Sequence, residues 1–115
     1  MIVCVAVADQ GLVDPRWGRA QRVALAELGD GGIESWREIE VGWGVLRETG
    51  GEGSHHARIA RFLREQHVQA VVANHMGQGM EHMLGKLGIQ VRLGASGSAR
   101  DAVLALLRHD GPGAA

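Results

Sequence analysis

The sequence predicts an α/β domain with a five-stranded mixed sheet and the element order β-β-β-α-β-α-β-α. Three observations carry this expectation. Residues 2–8 (IVCVAVA) form an unbroken apolar, largely β-branched run, as in a strand buried on both faces. Two extended segments then flank Gly29-Asp30-Gly31-Gly32, a hairpin signal. From residue 54 onward, helical periods alternate with short strand-like runs, which implies parallel strands joined by right-handed crossovers.

Taken in order, the first strand stops at Asp9-Gln10-Gly11, and an irregular loop follows through Asp14, Pro15, Arg16, Trp17, Gly18 and Arg19. Residues 23–28 read as the second strand and residues 33–41 as the third. In the third, Ile33, Ile39 and Val41 share one parity and Glu34, Glu38 and Glu40 the other, the pattern of a half-solvated face. Residues 42–53 contain five glycines and no periodicity, so a flexible connection is expected, with Trp43 either anchoring it or closing over a pocket. Ser54 is a candidate N-cap for a helix to about residue 66, with Ile59, Ala60, Phe62 and Leu63 as its apolar stripe.

Residues 68–73 (VQAVVA) predict a fourth, buried strand, ended by Asn74-His75-Met76-Gly77. The helix after it runs to about Leu87 and carries Met76, Met80, Met83, Leu84 and Leu87 at core-facing spacings. Residues 89–93 predict the fifth strand. Ser98 with Asp101 resembles a capping box that starts a last helix, whose inner face is Ala99, Ala102, Val103 and Leu106. Residues 1–108 form one domain, and residues 109–115 are expected to be a frayed tail.

At 115 residues, 45% hydrophobic and 22% charged, the chain suits one globular domain that buries about 65% of its unfolded surface. A net charge of −1 provides no global field for nucleic acid or an anionic membrane. The single Cys4 excludes an internal disulfide and an all-cysteine metal site. No apolar run approaches the ~20 residues of a bilayer span, so a cytoplasmic protein is expected. Eleven arginines against Lys86 reflect either base composition or a preference for large anions.

Right-handed crossovers place the fourth strand beside and parallel to the first, with the fifth beyond it. Ligands in such sheets bind outside the carboxyl ends of the strands, where connections diverge. That edge carries Arg16, Trp17, Gly18 and Arg19 in one loop, and His75, Met76, Gly77 and Gly79 in the other. Gly77 and Gly79 open a helix whose N-terminal amides suit an anion, or they simply form a tight turn. His75 is a candidate metal ligand or cationic contact; the plainer reading is a histidine bonded to nearby backbone.

His55 and His56 follow the glycine-rich segment. His56 shares a face with Ile59, Ala60 and Leu63, and is expected to point inward. Neighbouring histidines on a helix diverge by about 100°, so the pair does not readily grip one ion. His82 is expected in solvent, and the methionines, despite their affinity for soft metals, read as core packing. Cys4 lies mid-strand, where a thiol is inert. No P-loop or nucleophile elbow is present, and carboxylates do not converge as a two-metal nuclease needs.

The first strand, the loop ending Trp17-Gly18-Arg19-Ala20, the Gly/His-rich helix entry and the run VQAVVANHMGQGMEHMLGKLGIQV together resemble the dinitrogenase iron–molybdenum cofactor biosynthesis family. That family includes NifX-type domains and the molybdenum–copper orange protein. The resemblance covers residues 1–108. It implies a ribonuclease-H-like three-layer α/β/α fold without nuclease activity, and a carrier or scaffold for an iron–sulfur, iron–molybdenum or molybdenum–copper cluster. The family's His-Phe-Gly-x-Ala loop, whose histidine is a proposed ligand, corresponds here to Arg16, Trp17, Gly18, Arg19 and Ala20. Arginine replaces the ligand, which leaves electrostatic holding by Arg16 and Arg19; apart from the resemblance, His75, His55 and His56 are the candidate compensating ligands on the residues themselves.

The expected partners are the cluster itself and a cluster-donor or acceptor protein, with no nucleic acid or membrane, and a monomer or weak dimer. The alternative reading is a regulatory module that binds a small molecule or nucleotide at the same strand edge.

Overall fold

The computed structural model describes residues 1–46 and 51–108. Five strands run β1 (Ile2–Val7), β2 (Arg22–Gly29), β3 (Gly32–Glu40), β4 (Ala70–Val72) and β5 (Gln90–Arg92). Four helices accompany them: α1 (Trp43–Leu46), α2 (Glu52–Glu65), α3 (Gln78–Lys86) and α4 (Ala99–Arg108). The sheet order is β3-β2-β1-β4-β5. Strand β1 pairs antiparallel with β2 and parallel with β4, and β4 pairs parallel with β5.

The uniform apolarity of β1 follows from its central place. Cys4 and Ala6 face one core with Ile59 and Leu63 of α2 and Met80 and Leu84 of α3. Val3, Val5 and Val7 face a second core with Ala99, Val103 and Leu106 of α4. The sheet is therefore the middle of three layers, with α2 and α3 on one side and α4 on the other. Helix α4 starts as its sequence requires: the Ser98 hydroxyl accepts the Asp101 amide at 3.2 Å.

Four expectations need correction. The segment read as structureless contains the one-turn helix α1, whose Trp43 is only 2% exposed. Trp43 is an anchor and not a cover: its ring meets Trp17 edge-on at 5.2 Å and Phe62 at 5.8 Å. Residues 47–50 of that segment, and the tail expected over 109–115, lie outside the described residues. Helix α2 begins earlier than Ser54, after an extended Gly51 (φ −73°, ψ 170°) that caps it without a side chain.

The parity of β3 also changes along its length. Glu27 faces Ser35 but Leu28 faces Ile33, so a bulge at Glu34 inverts the alternation. Ile33 consequently packs on the α4 side, whereas Ile39 and Val41 pack on the α2 side. Finally, Leu87 is not in the core. It follows the last turn of α3 and is 38% exposed, while Leu84 is fully buried.

This contrast gives a test on one helix. Leu84→Ala should lower unfolding free energy by about 2–5 kcal/mol in urea titrations, and Leu87→Ala by about 0.5 kcal/mol. Equal losses would contradict the packing described.

Candidate functional site

Strands β1 and β4 are parallel neighbours, so the loops that leave their carboxyl ends share one edge of the sheet. The first loop is built around Asp14, which is 6% exposed. Its carboxylate accepts the Arg16 amide at 2.9 Å and pairs with Arg16 Nε at 3.5 Å. A short 3₁₀ turn, Trp17–Arg19, follows; Trp17 is buried against Trp43, and Arg16 and Arg19 are exposed. The second loop leaves β4, and Asn74 Nδ2 donates to the Ala95 carbonyl at 2.9 Å. An isolated parallel bridge joins Arg16 to His75 and ties the two loops together.

Helix α2 supplies the third wall. His55 is 1% exposed, and its Nε2 lies 2.6 Å from the Gly18 carbonyl oxygen. A carbonyl only accepts, so Nε2 carries the proton and donates. The inward-facing histidine is thus His55 and not His56, because the buried stripe runs His55, Ile59 and Leu63. The half-buried His56 turns toward α3, where a Cβ on Gly79 would stand 3.2 Å from its Cε1. The absence of a side chain at Gly79 lets α2 and α3 approach closely there.

Together these elements enclose a cleft of about 340 Å³. Arg16, Trp17, Gly18 and Arg19 line it from the first loop, His55 and His56 from α2, and His75, Met76, Gly77 and Gly79 from the second loop and α3. All the residues singled out in the sequence therefore lie around one space. Pro15, Gln78 and Met80 line it too and were not singled out as site residues. The signal for Met80 was present in its spacing from Met76 but pointed equally well to the core. Asp14, which steadies Arg16, was signalled by the Asp-Pro-Arg turn, where the aspartate bonds the backbone two residues on.

The cleft lining contains two arginines, three histidines and no carboxylate. It also receives the start of α3, where the first amides lack intrahelical acceptors and the helix dipole is positive. Among the described residues, no three His, Cys, Asp or Glu side chains converge to hold a metal ion. His82 is exposed and outside the cleft. Cys4 lies in the core beneath the sheet face, and burial pushes its thiol well above the usual range.

The family model "Dinitrogenase iron-molybdenum cofactor" matches residues 1–109. The chain belongs to this family. Membership connects it with the biosynthesis or binding of the iron–molybdenum cofactor. Solved structures share the fold. PH0822 superposes with a TM-score of 0.75 at 19% identity, covering 94% of this chain and 91% of that one. The apo form of the orange protein from Desulfovibrio gigas gives 0.75 at 21% identity, covering 96% and 90%. The Methanocaldococcus jannaschii protein mj0327 gives 0.66 at 12% identity, covering 96% and 90%. No curated protein matches the chain in sequence. No helix among the described residues is long and apolar enough to cross a membrane.

Within this family member, Arg16 stands where the resemblance places a ligand histidine. A guanidinium has no lone pair to give a metal, so the Arg16 side chain can offer only charge and hydrogen-bond donors.

Two outcomes follow from the buried groups. His55→Leu leaves the Gly18 carbonyl without its donor and should cost about 1–3 kcal/mol in chemical denaturation. Burial disfavours the Cys4 thiolate, so native protein at about pH 8 should react with Ellman's reagent only slowly, and unfolded protein should react fully. Rapid reaction of the native thiol would contradict its burial.

Proposed function

We propose that this chain is a non-enzymatic carrier that binds an anionic metal–sulfur cluster during cofactor assembly or storage. The cluster is of the iron–sulfur, iron–molybdenum or molybdenum–copper type, and the chain exchanges it with a donor or acceptor protein in the cytoplasm. One observation carries the reading: the Arg16–His75 bridge closes two loops around a cleft that has basic residues and no carboxylate in its lining. A cluster is a large, weakly hydrated anion, and guanidinium groups with open helix amides suit it better than a bare metal ion.

The roles divide by position. Arg16 and Arg19 attract and hold the cluster by charge. His75, exposed in the second loop, is the candidate ligand. His56 adds a second imidazole to the lining. His55 serves differently, because its bond to Gly18 fixes the loop that carries both arginines. Gly77 and Gly79 allow close approach to the α3 amides. Hydrolysis of the ribonuclease-H type needs carboxylates that bind metal ions at this edge; Asp14 is instead engaged with Arg16.

Anaerobic titration of the apoprotein with each cluster type, followed by absorbance, tests the reading. One of them should give a saturable charge-transfer band at a stoichiometric ratio. An Arg16→Ala/Arg19→Ala double variant should bind about tenfold more weakly, with less dependence on salt. His75→Ala should weaken binding and shift the band. If no cluster gives a stoichiometric band, the proposal fails. A melting-temperature rise with nucleotides or phosphorylated metabolites instead would assign the cleft to a regulatory small molecule.

A further inference from the structure

Two methionines that helical periodicity assigns to the core also form part of the cleft wall. Met76 is 7% exposed and Met80 4%, and both line the cleft, whereas Met83 packs only against the α2–α3 core. They make part of the cleft lining apolar and polarisable. Arg16 and Arg19 make another part of it cationic.

From this division we infer that Met76 and Met80 are specificity-determining residues. They make the cleft take soft thioanions and reject oxyanions of the same charge and shape. The inference rests on the cluster-carrier reading and narrows the ligand of that same site.

The physical basis is the difference between oxygen and sulfur as acceptors. An oxyanion oxygen is strongly hydrated. Pressed against thioether surface, it loses water and gains no donor, which is costly. A sulfide is larger, more polarisable and a weaker acceptor. It gives up little hydration and gains dispersion contact with the methionine side chains. The arginines attract both kinds of anion, so charge provides affinity and the apolar wall provides the discrimination.

Tetrathiomolybdate and molybdate make the comparison direct, since both are tetrahedral dianions. Affinities would be measured by calorimetry and by competition followed through the thiomolybdate absorbance. Wild-type protein should bind tetrathiomolybdate at least about tenfold more tightly than molybdate. Met76→Gln and Met80→Gln place an amide donor on the wall and should each reduce that ratio several-fold. Met80→Leu keeps the wall apolar and should preserve the preference. Far-UV circular dichroism checks folding, and if a glutamine variant does not fold, the wild-type ratio still decides.

Equal affinities, or tighter binding of molybdate, would overturn the inference and leave the cluster-carrier reading standing. An unchanged ratio in both folded glutamine variants would remove Met76 and Met80 as its cause. Binding of neither anion would overturn this inference, while the cluster titration separately judges the carrier reading.

Discussion

The cleft depends on β1 and β4 lying side by side and parallel. Parallel pairing brings both carboxyl ends to the same edge, so the loop carrying Arg16 and the loop carrying His75 leave the sheet together. The chain from β1 then turns back to β2 on one side, and the chain from β4 crosses through α3 to β5 on the other. This divergence opens the space between them. The Arg16–His75 bridge closes the base of that space, and the Gly18–His55 hydrogen bond ties the first loop to α2. Had β4 run antiparallel, His75 would emerge at the far edge and the Arg16–His75 bridge could not form.

Local charge at the site does not follow the nearly neutral total. The chain carries a formal net charge of −1, yet the cleft lining contains only basic and neutral groups. The acids are deployed elsewhere. Glu38 and Glu40 of β3, together with Asp9, surround Arg22, and Asp14 is turned into the loop beneath Arg16. The Asp14 arrangement restrains Arg16 through its backbone amide and Nε. A buried carboxylate thereby orders the loop that presents positive charge.

Much of this was legible because it depended on patterns repeated over several residues. The unbroken apolar run of β1 could only be a strand covered on both faces, and the right-handed crossover rule then brought the two loops together. The loop residues Arg16–Arg19 and His75–Gly79 could thus be placed near one another without coordinates. What was not legible turned on single nonlocal contacts. Either His55 or His56 shares a helical stripe with Ile59 and Leu63, and the Gly18 carbonyl, distant in sequence, selects His55. The start of α2 at Gly51 carries no side-chain cap to mark it. Trp43 is held by Trp17 and Phe62, and nothing in its glycine-rich surroundings signals that. Met80 serves core and cleft at once, which one periodicity cannot separate.

The bulge at Glu34 has a consequence for how the molecule meets its neighbours. Among the described residues, β3 is the outer strand on its side of the sheet, and one border of its amides and carbonyls pairs with no other strand. A long regular border of that kind is a template for a foreign strand. The extra residue, third in the strand, twists the border near its start and breaks its repeat. An incoming strand could match only the stretch beyond Glu34 in regular register, which works against extended edge-to-edge pairing.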